Sequence, residues 1–181
     1  MEITRAYVKN ILPHRDPEGH KGTFGKVYCL CGAVGYTGAP GLAATVRSGS
    51  GLVYLGVPED IWPVTAVKCQ SAMPFPLPSQ QGKLALAAEE TIRERVAGCD
   101  AVLIGCGLGR SDESDALTRK LLAALARHPN AGGVLVLGLG CENLTMEQFQ
   151  AELGPHDKNR VRFLVCQDVE DELAAGAALL K

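Results

Sequence analysis

A chain of 181 residues, 46% hydrophobic and 21% charged, is long enough for one full domain with its own core. A net charge of −2 gives no electrostatic ground for binding nucleic acid or an anionic membrane, and no apolar run approaches the ~20 residues of a membrane span. The opening MEITRAYVKN lacks the basic-then-apolar form of a secretory leader, so a cytoplasmic location is expected, with the seven cysteines as free thiols.

Residues 1–19 begin as a short amphipathic piece and turn polar at Leu12-Pro-His-Arg-Asp-Pro-Glu-Gly19, where two prolines and a glycine disfavour any regular element. From His20 to Leu55 the chain reads as a βαβ unit. An apolar run (Val27–Cys31) meets the glycine-rich turn Gly32-Ala-Val-Gly-Tyr-Thr-Gly38. An Ala-rich helical pattern follows, with Pro40 near its start and Leu42, Ala43 and Val46 on its apolar side, then a second run over Leu52–Val57. Both runs are continuously apolar, as strands buried on both faces of a parallel sheet are. Glycines at a strand-to-helix turn let an anion approach backbone N–H groups, which predicts a phosphate-bearing small molecule as ligand; a plain tight turn would explain the same glycines.

Pro58–Trp62 opens a second helical segment that ends before Met73, with Trp62 expected as a core anchor. Pro74, Pro76 and Pro78 make Met73–Pro78 an extended edge or crossing segment. Lys83–Ala97 predicts an amphipathic helix, since Leu84, Ala88, Ile92 and Val96 recur every four residues, and Gly98 ends it. Ala101–Ile104 reads as a buried strand running into Gly105-Cys-Gly-Leu-Gly109, a loop at the strand end where open α/β sheets bind ligands. The next helix has Ser111 as its cap and Asp112, Glu113 and Asp115 in its first turn; Leu117, Leu121, Ala124 and Leu125 face the sheet.

His128 is placed to cap that helix's last carbonyls. The tail continues with a strand over Val134–Leu139, a turn at Gly138, Gly140 and Cys141, a helix over Thr145–Leu153 and a strand over Val161–Cys166. It closes with a helix over Asp168–Leu180 whose first turn is acidic. Cys29, Cys31, Cys106, Cys141 and Cys166 lie in or beside apolar runs and read as buried thiols, with Cys29 and Cys31 on one face of a strand. The fold class is α/β: three layers, a mainly parallel sheet of about five to seven strands with helices on both faces, partly ribokinase-like or Rossmann-like. An open sheet edge invites pairing, so a homo-oligomer is expected.

HKGTFGKV at 20–27, GYTGAPGLAATVRSGSGLV at 35–53 and GCGLGRS at 105–111, in that order, resemble the ADP/ATP-dependent NAD(P)H-hydrate dehydratases, repair enzymes on the ribokinase-like fold. The resemblance covers about residues 11–125. It implies ATP or ADP with Mg²⁺ as cofactor and an NAD(P)H-type ligand. It also implies a cleft lined by Lys21, Gly22, Gly35, Tyr36, Thr37, Gly38, Gly105, Gly107, Leu108 and Gly109, with Lys21 near the phosphates. The family's Gly-Thr-Gly-Asp motif, whose aspartate is the catalytic base, is absent. No catalytic residue is therefore assigned, and Asp112 and Asp168 are the aspartates at helix starts that could stand in for it.

Beyond Ala126, the string that ends in GLGCEN (138–143), followed by RVRFLVCQ (160–167), resembles an internal segment of the altronate/galactarate dehydratases. That resemblance makes Cys141 a weak candidate metal ligand or active-site thiol. Together the two resemblances describe a chimera, with residues 1–126 ribokinase-like and 127–181 an altronate-dehydratase-like βαβα segment packed into the same sheet. Three functions follow: a hydrate dehydratase impaired by the missing base, a non-catalytic nucleotide or dinucleotide binder, and a sugar-acid dehydratase fragment.

Overall fold

A computed structural model of the chain describes residues 4–12, 15–44, 49–140 and 144–179. In chain order, α1 (Arg5–Ile11) precedes β1 (Lys26–Cys31), α2 (Ala39–Ala43), β2 (Leu52–Pro58), α3 (Trp62–Lys68) and β3 (Met73–Leu77). A hairpin of β4 (Ser79–Gln80) and β5 (Lys83–Leu84) leads to α4 (Glu89–Val96), β6 (Ala101–Gly105) and α5 (Asp112–Ala126). Then come β7 (Val134–Gly138), α6 (Met146–Leu153), β8 (Val161–Val165) and α7 (Glu172–Leu179). No helix among the described residues is long and apolar enough to cross a membrane.

The central sheet is parallel, in the order β3-β2-β1-β6. β1 pairs with β2 from Lys26↔Leu52 to Leu30↔Gly56, and with β6 from Val27↔Ala101 to Cys31↔Gly105. Its side chains alternate between two cores. Tyr28 and Leu30 pack with Leu77, Ile92, Leu117 and Leu121 on the side of α4 and α5. Cys29 and Cys31 pack with Val53, Leu55, Val57 and Ile61 on the side of α2 and α3. Helices therefore cover both faces of a mainly parallel sheet, the α/β class that the continuous apolar runs predict.

Several elements differ from expectation. The sheet has four strands among the described residues, below the predicted five to seven. The tail does not join it: β7 and β8 pair in parallel with each other, from Val134↔Val161 to Gly138↔Val165, as a separate two-stranded sheet. A gap of about 720 Å³, bounded by Val102 and Ile104 of β6 and by Leu121, Leu125 and His128, lies between the edge of β6 and the end of α5. β6 is thus an edge strand with Ala101 and Leu103 exposed, where a buried strand was expected.

The helix expected from Lys83 begins at Glu89, because Gln81 (φ 51°) and Gly82 (φ 74°) form the two-residue turn of the β4–β5 hairpin and hold Lys83 and Leu84 extended. Trp62 is no core anchor: it is 38% exposed, and its indole N–H donates to the Pro74 carbonyl (3.1 Å), tying α3 to β3. The last helix starts at Glu172, after a 3₁₀ turn over Cys166–Asp168, with the Asp171 carboxylate accepting from the Ala174 N–H at 2.8 Å. Val46 lies outside the described residues.

The tail packs around Ala123, Ala126, Phe149, Leu153 and Val161, so α5 supplies side chains to both units. Helix ends leave carbonyls without intrahelical partners, and here guanidinium groups take them. Arg160 donates to Ala126 (2.9 Å), His128 (3.0 Å) and Ala131 (2.8 Å) past the end of α5. Arg127 donates to Glu152 and Leu153 at the end of α6, and Arg162 to Leu179 at the end of α7. His128, expected in that capping role, instead accepts from the Asn130 N–H at 3.2 Å.

Arg160→Met removes three charge-assisted bonds at once, and urea denaturation is expected to report a loss of about 2–4 kcal/mol, against less than about 0.5 for the exposed Lys158→Ala. The fully buried Tyr28 hydroxyl has no hydrogen-bond partner among the described residues, and burial pushes its phenol from 10.0 up to about 12 despite the nearby Arg95 charge. The folded state holds the proton longer than the unfolded one, so this group's contribution is intact below pH ~10 and lost as the pH rises to ~12, by about 2–3 kcal/mol. Denaturation across that window should show a shallower pH slope for Tyr28→Phe than for the wild type.

Candidate functional site

Strand order reverses at β1. The chain runs outward from β1 to β3, then returns to the other side of β1 for β6. Loops leaving adjacent parallel strands in opposite directions open a crevice at their carboxyl ends, where doubly wound sheets bind ligands. Both glycine-rich loops lie there. Cys31 is in register with Gly105, and the Gly32 N–H donates to the Cys106 carbonyl at 3.2 Å.

The glycines divide by what surrounds them. At Gly107 (φ +81°) an added Cβ would stand 2.9 Å from the Cβ atoms of both Ala39 and Tyr36, so the two loops pack too closely for any side chain. At Gly35, Gly38 and Gly105 an added Cβ would meet nothing within 4 Å. Backbone is bare at these three positions, and a ligand can approach it. Tyr36 is exposed, Thr37 half-buried, and the half-buried Leu108 packs against the first core.

The β4–β5 hairpin completes the rim. The Val34 N–H donates to the Gly82 carbonyl at 2.8 Å, and the Lys83 side chain crosses Gly109, 3.3 Å from where a Cβ would be. Beside the second loop a cleft of about 510 Å³ is lined by Leu108 and Gly109, by Asp112, Thr118 and Arg119 of α5, and by Gln148 of α6. Arg110 also lines it and pairs with Asp115 at 3.1 Å. The start of α5 is closed by its own side chains: Ser111 and Ser114 form a reciprocal capping box, and Glu113 accepts from the Leu86 N–H at 2.9 Å. A hollow of similar size, about 520 Å³ between α5, β7 and α6, is lined by apolar side chains such as Leu122, Leu135 and Phe149 and offers no charge to a ligand.

The structure thus gathers Gly35, Tyr36, Thr37, Gly38, Gly105, Gly107, Leu108 and Gly109 at one edge. Lys21 and Gly22 are not with them. They lie in the turn before β1, where a Cβ on Gly51 would overlap the Lys21 carbonyl and the Gly22 N–H donates to His20 Nδ1 at 3.0 Å. β1 separates that turn from the glycine loops by about 16 Å at ~3.3 Å per residue. Among the described residues Lys83 crosses the second loop, and Arg110 and Arg119 line the cleft beside it, Arg110 paired with Asp115. Sequence reasoning missed Lys83 and Arg119, and the signal for Lys83 was the turn-forming Gln81-Gly82. Asp112 lines the cleft, whereas Asp168 sits after β8 in the other unit. Cys141 lies outside the described residues, among which no group of three or more His, Cys, Asp or Glu could hold a metal ion. Cys106 is exposed, not buried as expected; Cys29 and Cys31 are buried.

A ribokinase-like superfamily protein from Enterococcus faecalis V583 superposes with a TM-score of 0.61 over 89% of this chain and 52% of that one, at 21% identity, a likeness of fold alone. The bifunctional NAD(P)H-hydrate repair enzyme Nnr of Moorella thermoacetica is 33% identical over 167 residues, covering 90% of this chain and 32% of its own. The altronate dehydratase of Escherichia coli K12 is 35% identical over 127 residues, 67% of this chain and 24% of its own. The chain spans about a quarter to a third of the length of these curated relatives. Both resemblances read from the sequence therefore hold. A match to D-galactarate dehydratase/altronate hydrolase, second domain, starts in β2 and takes in the Gly105–Gly109 loop as well as the tail; with residues 56–181 matched, the chain belongs to that family.

Proposed function

We propose that this protein binds a phosphate-bearing nucleotide or dinucleotide, ADP or ATP with Mg²⁺ or an NAD(P)H-type molecule, in the crevice between the carboxyl ends of β1 and β6. The observation that carries this reading is the pair of glycine loops at the strand-order reversal, bonded Gly32 to Cys106, with bare backbone at Gly35, Gly38 and Gly105. Phosphate oxygens take backbone N–H groups where no side chain intervenes, and Lys83, crossing Gly109, and Arg119, in the adjoining cleft beside that loop, would supply the countercharge. Magnesium neutralises phosphate charge and commonly rests on one or two carboxylates besides the phosphates themselves. Asp115 is engaged by Arg110, so Asp112 is the carboxylate that would hold it. Similarity to the Moorella hydrate repair enzyme supports hydrated NAD(P)H as the substrate class. In that chemistry Asp112 is also the side chain of the cleft suited to take a proton from a hydroxyl.

Isothermal titration calorimetry with ATP, ADP and NADH, each with Mg²⁺, is expected to give a Kd between roughly 1 µM and 1 mM for at least one of them. Arg119→Ala and Lys83→Ala should each weaken it about tenfold, with Lys21→Ala changing it less than about twofold. Asp112→Asn should lower turnover of hydrated NADH by about 10²–10⁴-fold. Failure of all three nucleotides to bind would overturn the reading.

The family match over residues 56–181 favours a second reading, a sugar-acid site. A polyhydroxy carboxylate would then meet Arg110 and Arg119 in the same cleft. Titration of D-galactarate and altronate separates the two: binding of a sugar acid without any nucleotide would move the assignment.

A further inference from the structure

The carboxyl ends of β1 and β6 also bring two thiols together. Cys31 ends β1, in register with Gly105, and Cys106 follows directly, its carbonyl accepting from the Gly32 N–H at 3.2 Å. Neighbouring strands lie about 4.8 Å apart, so residues one register step apart at the strand ends fall within the Cα separation of roughly 4.4–6.8 Å that a disulfide spans. Cys106 holds a left-handed backbone (φ +50°), one of two non-glycine residues to do so among those described. The Cys106 thiol is near enough to that of Cys31 to help hold its proton, and Cys29 shares the buried face of β1 with Cys31. Cys106 is exposed and Cys31 fully buried.

We propose that Cys106 and Cys31 form a reversible oxidation site, at which a hydroperoxide oxidises the exposed thiol and the buried one closes a disulfide across the ends of β1 and β6. In the first step the Cys106 sulfur attacks the peroxide oxygen; the O–O bond breaks, leaving Cys106 sulfenic acid and, from hydrogen peroxide, one water. In the second the Cys31 sulfur attacks the Cys106 sulfur; the S–O bond breaks, and hydroxide leaves as water with the proton of Cys31. Two thiols thereby lose two electrons to one peroxide. Burial pushes the Cys31 thiol well up, helped by its neighbours Cys106 and Cys29, so at neutral pH it stays protonated and the accessible Cys106 reacts first. The bond would fix the two glycine loops relative to each other, whichever ligand the cleft takes.

Purified protein treated with stoichiometric hydrogen peroxide, then alkylated under denaturing conditions, is expected to show the seven titratable thiols falling to five, and dithiothreitol should restore them. Trypsin should release peptide 27–47 joined to peptide 96–110, lighter than their sum by two hydrogens, with fragment ions placing the bond between Cys31 and Cys106. Cys106→Ser should abolish the cross-link. In Cys31→Ala, checked for folding by circular dichroism, Cys106 should stop as a sulfenic acid that dimedone captures. Linkage to Cys99 or Cys29, a disulfide between chains, or Cys106 passing to sulfinic acid in the wild type with Cys31 still free would each overturn the proposal.

Discussion

β1 is hydrogen-bonded along both edges and buried on both faces, and the first unit depends on that double confinement. A buried strand must find partners for every N–H and C=O, and β1 finds them in β2 on one side and β6 on the other. Its side chains meanwhile divide the interior into two cores, with Tyr28 and Leu30 in one and Cys29 and Cys31 in the other. The same centrality makes the site, because a strand with later strands on both sides is where outgoing loops part and leave a crevice.

α5 has the matching role between the two units. Leu117 and Leu121 complete the first core, while Ala123 and Ala126, a turn further on, allow Phe149 and Leu153 of α6 to pack closely. Small residues at that contact bring two helices together, and Arg160 then fastens the end of α5 to the loop before β8. The cleft lies at the opposite end of the same helix, so the position of Arg119 and Asp112 follows from packing on both sides.

What was legible in the sequence was local. Continuous apolar runs gave both central strands, proline gave the β3 edge, and Ser111 gave the start of α5. The glycine loops were legible as a pair because their spacing is carried by the strands that precede them. Pairing partners were not. Nothing in Val134–Gly138 says that it bonds to Val161–Val165 and not to β6, since a strand's own pattern does not specify its neighbour. Lys83 was hidden by the four-residue periodicity from Leu84 to Val96, which continues backward through a segment that a two-residue turn holds extended. Lys21, placed near the phosphates by resemblance, lies at the opposite end of β1 from the glycine loops, for motif order carries no direction along a strand. The neighbouring thiols of Cys31 and Cys106 are 75 positions apart in sequence, and only the β1–β6 register brings them together.

The two outer strands of the sheet are unlike in one respect. β3 carries Pro74 and Pro76, which share one side of the strand and lack the N–H that a further strand would need. β6, by contrast, has no proline from Ala101 to Gly105. The two borders of the sheet are therefore unequal: along β6 no residue lacks its backbone N–H, whereas along β3 two positions have no donor to offer.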